Sequence, residues 1–302
     1  MKMGSMAITC ILLLGSLVSG CSNEEQAETT NATNTTNAAV ISEPTNAPVE
    51  VTSPNVQKIT FYSEALSKDM RFNIYLPIGY QSENKYPVLY LIHGYGSNET
   101  MWLSGLGLDK TADKLQNEGK IKPLIIVTPQ IDNSYGFNST SAGNYSDYLV
   151  KDLIQYVDSH YSTDATRENR YIGGLSMGGW AALYNAFTHP ELFSKVGGHS
   201  PGLWVDDWTN TGDLKYWIYP SDEIRTQRDP ILLAGTQDLQ GLSVYLDCGE
   251  EDSYKFYLGT EALHKKLQSL NVKSEYHRSP GGHDDTYWRT HESEYLLFYA
   301  GK

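Results

Sequence analysis

The sequence predicts an α/β domain built on a mostly parallel, eight-stranded sheet with helices on both faces. Two observations support this fold class. The runs at residues 88–92 and 124–127 are continuously apolar, which is typical of strands that are covered on both sides. Stretches with apolar residues at helical spacing alternate with these runs, as they do in a doubly wound sheet. We expect this domain to span residues 56–302.

The predicted elements follow the same pattern along the chain. The strands are predicted at residues 58–62, 71–76, 88–92, 124–128, 171–174, 195–198, 243–247 and 274–277. The first two, at the start of the domain, are expected to form an antiparallel edge. Helices are predicted over residues 149–157, after Ser176, over residues 256–270 and over residues 292–300.

Composition narrows the possible functions. The chain has 302 residues with 23 Lys and Arg against 36 Asp and Glu, a formal net charge of −13. No block of basic residues is present, so a nucleic-acid partner is not expected, since phosphate binding needs clustered Lys and Arg. Cys248 stands alone in the predicted domain, which excludes a disulfide framework there. No zinc-type spacing and no G-x-G-x-x-G motif occurs, so neither a metal nor an organic cofactor is expected.

The N-terminal segment is predicted to be a lipoprotein signal peptide. Lys2 precedes an apolar run over residues 7–18, which is shorter than the ~20 residues that span a bilayer. The run ends in Val-Ser-Gly-Cys at residues 18–21, which resembles the bacterial lipobox, whose cysteine is lipidated. Residues 1–21 are therefore predicted as the signal peptide, and Cys21 as the lipid-bearing residue.

Residues 22–55 are predicted to be a disordered polar tether. This segment is rich in Asn, Thr, Ala, Glu and Pro and has almost no large apolar residues that could offset its ordering entropy. Together with the signal peptide, it predicts a protein of the bacterial cell envelope, outside the cytoplasm. Contact with the membrane is expected through the lipid on Cys21 only.

The sequence around Ser176 indicates nucleophilic catalysis. Gly174-Leu175-Ser176-Met177-Gly178 is a G-x-S-x-G motif between a predicted strand and a predicted helix, which is the context of a nucleophile elbow. The turn is tight, so a side chain two positions before or after the serine would meet backbone, and glycine fits there. The helix N-terminus that follows favours developing negative charge. This arrangement resembles the α/β-hydrolase fold, which is the fold class we predict.

His283 is the predicted base. In α/β-hydrolases the acid and then the histidine follow the serine along the chain, which leaves His264, His277, His283 and His291. His264 is predicted within a helix, His277 within a strand, and His291 at the start of the last helix, where it could cap that helix. His283 follows Ser-Pro-Gly-Gly on a loop after the last strand, which is where a catalytic histidine belongs.

Asp252 is the predicted acid that orients His283. It follows the turn at Gly249, after the preceding strand, whereas Asp247 still lies in the strand and is expected to make a structural hydrogen bond. Glu250 and Glu251 remain alternatives.

The oxyanion hole needs two backbone donors. One is predicted to be the N–H of Met177, directly after the nucleophile, and the other the N–H of Tyr95. Tyr95 lies in the loop His93-Gly94-Tyr95-Gly96, which follows the strand at residues 88–92. His93 precedes Ser176 in the chain, so it is expected to shape the loop and not to act as the base.

These stretches together resemble the esterase-D-like branch of the α/β-hydrolases. That branch holds the family-one carbohydrate esterases (feruloyl and acetylxylan esterases), S-formylglutathione hydrolases, enterochelin esterases and mycolyltransferases. The matching stretches are residues 87–96, 171–180 and 281–284. Feruloyl esterases are the most similar, through the Gly-Gly-His loop followed by Trp288. The resemblance implies hydrolysis of feruloyl or acetyl esters on polysaccharide fragments, through an acyl-enzyme.

Substrate contacts are expected from aromatic residues in the segment at 203–239. Trp204, Trp208, Tyr216, Trp217 and Tyr219 crowd this segment. They could form a platform for a sugar or a phenolic acyl group, or they could pack under a long loop.

The candidate substrate-binding residues are Trp204, Trp208 and Trp288. Two other functions stay open at this point. One is an acyltransferase that uses the same acyl-enzyme, and the other is a noncatalytic surface-binding protein on a hydrolase scaffold.

Overall fold

The computed structural model describes residues 55–205 and 211–302 and confirms the predicted fold class. The central sheet has eight strands in the order β1-β2-β4-β3-β5-β6-β7-β8. The antiparallel strand β2 lies between β1 and β4, and every pairing from β4 to β8 is parallel. The strand bounds are β1 Val56–Ser63, β2 Lys68–Tyr75, β3 Val88–Ile92, β4 Ile125–Pro129, β5 Arg170–Leu175, β6 Lys195–His199, β7 Ser243–Gly249 and β8 Lys273–Ser279.

Helices occupy most of the connections. They are α1 Leu108–Asn117, α2 Ile154–His160, α3 Met177–Thr188, α4 Leu214–Ile218, α5 Asp222–Arg228, α6 Pro230–Leu233, α7 Phe256–Ser269 and α8 Asp285–Ala300. Two π-helical segments, Met101–Leu106 and Tyr148–Leu153, lead towards α1 and α2, and Tyr145–Asp147 and Arg167–Asn169 form short turns of helix. A small ribbon pairs Asn138–Ser139 with Gly143–Asn144.

The sheet has a hydrophobic cluster on each face. In β3, Val88, Tyr90 and Ile92 point into the cluster that includes α3 and α7, while Leu89 and Leu91 point into the cluster that includes α1 and α8. The alternation explains why this strand is continuously apolar in sequence, because both of its faces are buried. Each such buried side chain contributes roughly 1.5–3 kcal/mol of transfer free energy.

The last helix corrects one prediction. It begins at Asp285, a full seven residues before the predicted start at Glu292. The side chain of Asp284 accepts a hydrogen bond from the N–H of Tyr287, which caps the helix in place of His291. His291 is instead buried within the helix, where its Nδ1 lies 2.8 Å from the carbonyl oxygen of Tyr287.

Three predictions lie outside the described residues. They are the lipidated Cys21 in its signal peptide, the tether at residues 22–55 except for its last residue, and the substrate contact Trp208. Among the residues that are described, no helix is both long and apolar enough to cross a membrane.

Helices α1 and α8 bury a carboxyl group between them. The Oε2 atom of Glu292 accepts a hydrogen bond of 2.6 Å from the hydroxyl of Thr111, and its Oε1 atom has no hydrogen-bond partner. Burial raises the pKa of Glu292 from 4.5 to about 7, and the nearby Asp109 carboxyl adds to this, while Arg289 opposes it. Between pH 4.5 and about pH 7, Glu292 is protonated in the folded protein and ionised in the unfolded chain. The free energy of unfolding therefore falls as pH rises.

We therefore expect Glu292→Gln to stabilise the protein at high pH. The amide cannot ionise, and it can still accept the hydrogen bond of Thr111. Relative to the wild type, its free energy of unfolding should rise by about 2 kcal/mol between pH 5 and pH 8, which urea unfolding at both pH values would measure. The exposed Glu294 of the same helix supplies the control, because Glu294→Gln should show no such pH-dependent difference. If the free energy of unfolding changes with pH in the same way in Glu292→Gln and Glu294→Gln, the buried carboxyl of Glu292 is not the cause.

Candidate active site

Ser176 sits on a sharp turn between β5 and α3. Its backbone is in an unusual conformation, with φ 55° and ψ −117°. The N–H of Ser176 donates to the carbonyl oxygen of His199, and its own carbonyl oxygen accepts from the N–H of Gly202, both at 2.9 Å. The segment after β6 therefore holds the serine backbone from both of its polar groups.

Two glycines let the turn close, as the sequence motif predicts. A Cβ atom on Gly178 would lie 2.2 Å from the carbonyl oxygen of Ile92. A Cβ atom on Gly174 would lie 2.4 Å from the carbonyl carbon of Gly178. Both distances are far below contact distance and involve rigid backbone, so no larger residue fits at either position.

The structure brings Ser176, His283 and Asp252 into one hydrogen-bonded chain. The Nε2 atom of His283 lies 2.8 Å from the Oγ atom of Ser176, and its Nδ1 atom lies 2.9 Å from Oδ2 of Asp252. A carboxylate accepts only, so Nδ1 carries the proton and Nε2 is left to accept from the serine hydroxyl. The side chain of Asp252 is fully buried and that of His283 is 9% exposed, which shields the chain from water.

The Asp252 carboxylate is held by further donors. Its Oδ1 accepts from the N–H of Tyr254 at 2.8 Å, and its Oδ2 lies 3.2 Å from the thiol of Cys248. Burial raises the pKa of Cys248, so this thiol stays protonated and acts as a donor, as a small buried residue and not as a nucleophile.

The alternative carboxylates lie in other environments. The Oε2 atom of Glu251 accepts a hydrogen bond from the N–H of Gly281, in the loop that carries His283. Asp247 is fully buried in β7, where it bonds His199 at 2.9 Å and the hydroxyl of Tyr295 at 2.9 Å. Of the predicted candidates in the described chain, Asp252 is the carboxylate that reaches His283.

The loop after β3 passes beside the serine. A Cβ atom on Gly94 would lie 3.7 Å from Cβ of Ser176. Met177 is the first residue of α3, where a backbone N–H has no partner within the helix. Within the described residues, no protein group accepts a hydrogen bond from the N–H of Tyr95 or of Met177. The two predicted donors are thus free of protein acceptors in the described chain; Met177 follows the serine directly, and Tyr95 follows Gly94, which lies beside it.

His93 shapes this loop, as the sequence analysis expects. It is buried, and burial lowers its pKa, so its ring is neutral. Its Nε2 atom accepts from the N–H of Ile131 at 3.1 Å, which leaves the proton on Nδ1. That proton is donated to the carbonyl oxygen of Gly94 at 2.8 Å.

A cavity of about 580 Å³ opens in front of Ser176 and His283. Six aromatic residues contribute to its walls: Tyr95, Tyr135, Trp204, Tyr254, Phe256 and Trp288. Two of the predicted substrate contacts, Trp204 and Trp288, therefore face this cavity. Lys255 and Asp285 also line it. Within residues 55–205 and 211–302, no group of three or more His, Cys, Asp or Glu side chains is arranged to hold a metal ion.

None of the other described aromatic residues in the segment at residues 203–239 lines this cavity. The hydroxyl of Tyr219 accepts from Nε1 of Trp180 at 2.9 Å, and Tyr219 is buried under the cavity as packing. Trp217 packs against Phe137, with ring centroids 4.9 Å apart. Tyr216 is 69% exposed and does not line the cavity of Ser176.

Tyr135 forms part of the cavity wall and was not predicted from the sequence. Its ring packs edge-on against Trp180 and lies 6.5 Å from the ring of Trp204. Tyr135 belongs to the loop after β4 and has a φ of 55°, a conformation that its residue type does not suggest. Tyr254 and Phe256 were also missed, although their position just after the acid was a usable signal, since both rings contact His283.

The strand order, the serine turn and the Ser-His-Asp chain are those of the α/β-hydrolase class. Within that class, the model of the Esterase family matches residues 63–295. The chain belongs to this family, which confirms the resemblance to the esterase-D-like enzymes.

Comparisons with individual proteins agree. An endo-1,4-β-xylanase/feruloyl esterase of Xylanibacter ruminicola is 35% identical over 253 residues; the match covers 80% of this chain and only 30% of that protein. An acetyl esterase of Caldicellulosiruptor saccharolyticus is 25% identical, over 77% of this chain and 93% of its own length. The structure of a CE1 ferulic acid esterase from Anaeromyces mucronatus with ferulic acid superimposes with a TM-score of 0.63 at 25% identity, covering 81% of this chain and 89% of that one.

Proposed function

We propose that this protein is a serine esterase that hydrolyses carboxylic esters through an acyl-enzyme, with feruloyl or acetyl esters on polysaccharide fragments as substrates. The observation that carries the proposal is the hydrogen-bonded chain from Ser176 through His283 to Asp252, which opens into an aromatic cavity. A serine hydroxyl becomes a nucleophile when a neighbouring base can take its proton, and this chain supplies that base and its orienting acid.

Each residue has a defined part in the proposed mechanism. As the Oγ atom of Ser176 attacks the ester carbonyl, Nε2 of His283 takes its proton, and Asp252 stabilises the imidazolium. The N–H groups of Tyr95 and Met177 bind the oxyanion of the tetrahedral intermediate. The alcohol leaves with the proton from His283. Water, deprotonated by the same histidine, then attacks the acyl-enzyme and releases the acid.

The substrate class follows from the cavity and the relatives. Aromatic walls suit a planar phenolic acyl group or the apolar face of a sugar. The relatives that support this class are described as a xylanase/feruloyl esterase, an acetyl esterase and a ferulic acid esterase bound to ferulic acid. The net charge of −13 disfavours attraction to anionic membrane surfaces, so a phospholipid is the poorer substrate.

The proposed setting is the bacterial cell envelope, outside the cytoplasm. The lipobox at residues 18–21 and the polar segment behind it support a domain tethered to a membrane by a lipid on Cys21. There the enzyme would meet ester-bearing polysaccharide fragments.

Replacing the nucleophile tests the proposed function directly. Ser176→Ala should abolish hydrolysis of aryl and feruloyl esters and labelling by a fluorophosphonate, because both need the Oγ atom. The melting temperature should stay near that of the wild type. Undiminished labelling of a folded Ser176→Ala protein would refute the assignment.

Replacing the acid should cost far more activity than replacing its neighbour. In Asp252→Asn, the amide group would donate to Nδ1 of His283 and stabilise the wrong imidazole tautomer. The equivalent change lowers kcat about ten-thousandfold in trypsin-like enzymes, and we expect a loss of that order here. Glu251→Gln is the matched control, because its amide oxygen can still accept from the N–H of Gly281. If Glu251→Gln lowers kcat as much as Asp252→Asn, the acid is misassigned.

The aromatic cavity should favour aromatic and sugar-linked esters. We expect a higher kcat/KM for methyl ferulate or acetylated xylo-oligosaccharides than for long-chain acyl esters. Trp204→Ala should raise KM more for the feruloyl ester than for a small aryl acetate, since the indole offers a stacking surface to an aromatic acyl group and little to an acetyl group. Tyr216→Ala, at an exposed ring outside the cavity, should leave both KM values unchanged. A preference for acyl chains of eight or more carbons would contradict the substrate class.

The anchor is tested by processing in a bacterial host. The mature protein should begin at a diacylated Cys21 and fractionate with membranes, and Cys21→Ala should release it or block its processing. Mass spectrometry of the N-terminal peptide measures this. An unmodified mature N-terminus at another residue would rule the anchor out.

A further inference from the structure

The loop after β4 has an unusual backbone conformation, and no step of the proposed mechanism involves this loop. Asp132, Tyr135 and Gly136 all have left-handed backbones, with φ of 49°, 55° and 63°. For the two non-glycine residues this conformation is strained. Ser134 holds the shape, because its Oγ donates to the carbonyl oxygen of Ile131 at 2.6 Å and accepts from the N–H of Gly136 at 3.1 Å.

This loop is fastened to the loop that carries Tyr95, at two points on either side of it. On one side, the N–H of Ile131 donates to Nε2 of His93. On the other side, Oδ1 of Asn133 accepts from the N–H of Gly96 at 2.7 Å. Between the two points lie Gly94, which passes beside the serine, and Tyr95.

The peptide bond between Gly94 and Tyr95 is oriented by its carbonyl end. The carbonyl oxygen of Gly94 accepts from Nδ1 of His93 at 2.8 Å and from the N–H of Ser97 at 3.2 Å. In a trans peptide the N–H points away from the carbonyl oxygen, so these bonds also aim the N–H of Tyr95. The next peptide, which ends at the N–H of Gly96, is bonded to Asn133.

We propose that Asn133 is a positioning residue for the oxyanion hole: its bond to Gly96 fixes the second of two consecutive peptide planes, so that the N–H of Tyr95 faces the oxyanion. Glycine stands on both sides of Tyr95, and Gly96 has a φ of 74°, so without this bond the peptide between Tyr95 and Gly96 is free to rotate, and the N–H of Tyr95 is held only through the carbonyl oxygen of Gly94. The inference rests on the proposed function, because it assigns the N–H of Tyr95 to the oxyanion.

If Asn133 had a purely structural role, its replacement would affect different quantities. Its side chain is exposed, so its loss leaves no cavity in the core. A donor that is aimed at the transition state affects kcat and not ground-state binding, whereas a general loosening of the cavity raises KM and lowers the melting temperature.

The experiment compares Asn133→Ala with Asn138→Ala. Asn138 is the matched control, because it is also an exposed asparagine on the same stretch whose Oδ1 accepts a backbone N–H, that of Asp147 at 3.1 Å. Removal of one oxyanion donor costs about 100- to 1,000-fold in kcat, and a misaimed donor should cost less. We expect Asn133→Ala to lower kcat on methyl ferulate about 10- to 100-fold, with KM and melting temperature unchanged.

A second measurement isolates the oxyanion. A trifluoromethyl ketone analogue of the substrate forms a tetrahedral oxyanion on Ser176, whereas coniferyl alcohol has the same aromatic ring but no carbonyl or carboxylate oxygen for the two N–H donors. Asn133→Ala should weaken binding of the ketone by the same factor as kcat and leave inhibition by coniferyl alcohol unchanged. Asn138→Ala should change neither.

The outcomes separate this inference from the proposed function. An inactive wild type, or activity that survives Ser176→Ala, would overturn the proposed function and the inference with it. With serine-dependent activity established, unchanged ketone affinity in Asn133→Ala would overturn the inference alone. An equal loss in Asn138→Ala, or a loss confined to KM, would do the same.

Discussion

The site depends on the two hydrogen bonds that hold the backbone of Ser176. A left-handed serine is strained and needs its surroundings to impose that conformation. Here the constraint comes from the segment at residues 199–202, which accepts the N–H of Ser176 and donates to its carbonyl oxygen. Ser200, within that segment, is itself left-handed, with a φ of 45°. The geometry of the nucleophile is therefore only as well defined as the end of β6.

The end of β6 is in turn fixed by a buried polar cluster. His199 and Asp247 are partners in the register of β6 and β7, both are fully buried, and they are bonded at 2.9 Å. The hydroxyl of Tyr295, from α8, donates to the second carboxylate oxygen. A buried carboxylate is costly unless it is fully bonded, so a shifted register or an undocked α8 would be penalised. Through this cluster, the helix α8 on one face of the sheet helps to define the serine turn at the carboxyl edge of the sheet.

The order of the strands explains how much of the site could be predicted. Ser176, Asp252 and His283 follow β5, β7 and β8, and parallel strands bring their carboxyl ends to one edge of the sheet. Local motifs were enough to locate these residues, because each lies in a turn whose glycines have a steric reason. The strands β3, β4 and β5 were predicted to within one residue, since two-sided burial leaves a continuous apolar run, whereas β2 begins three residues before its predicted start.

The cavity wall could not be predicted in the same way. Tyr135 reaches the cavity only because its loop adopts left-handed backbones that the residue types do not indicate. Trp204 and Tyr219 are both aromatic residues of the same segment, and the sequence does not distinguish them. In the structure Trp204 lines the cavity, whereas the hydroxyl of Tyr219 accepts a hydrogen bond from Nε1 of Trp180. These environments depend on tertiary contacts, which the periodicity and spacing of residues in the sequence do not predict.

The two cavity tryptophans that the sequence singled out are also not equivalent. Trp288 is 4% exposed, donates from Nε1 to the hydroxyl of Ser200 at 3.3 Å, and packs edge-on against His283 with centroids 5.1 Å apart. It therefore joins the base to the segment that holds the serine, and little of its ring is left for a ligand. Trp204 is only half-buried and shares its side of the cavity with Tyr135 and Phe256. Discrimination between acyl groups should accordingly depend on the Trp204 side of the cavity, while Trp288 supports the alignment on which every ester depends equally.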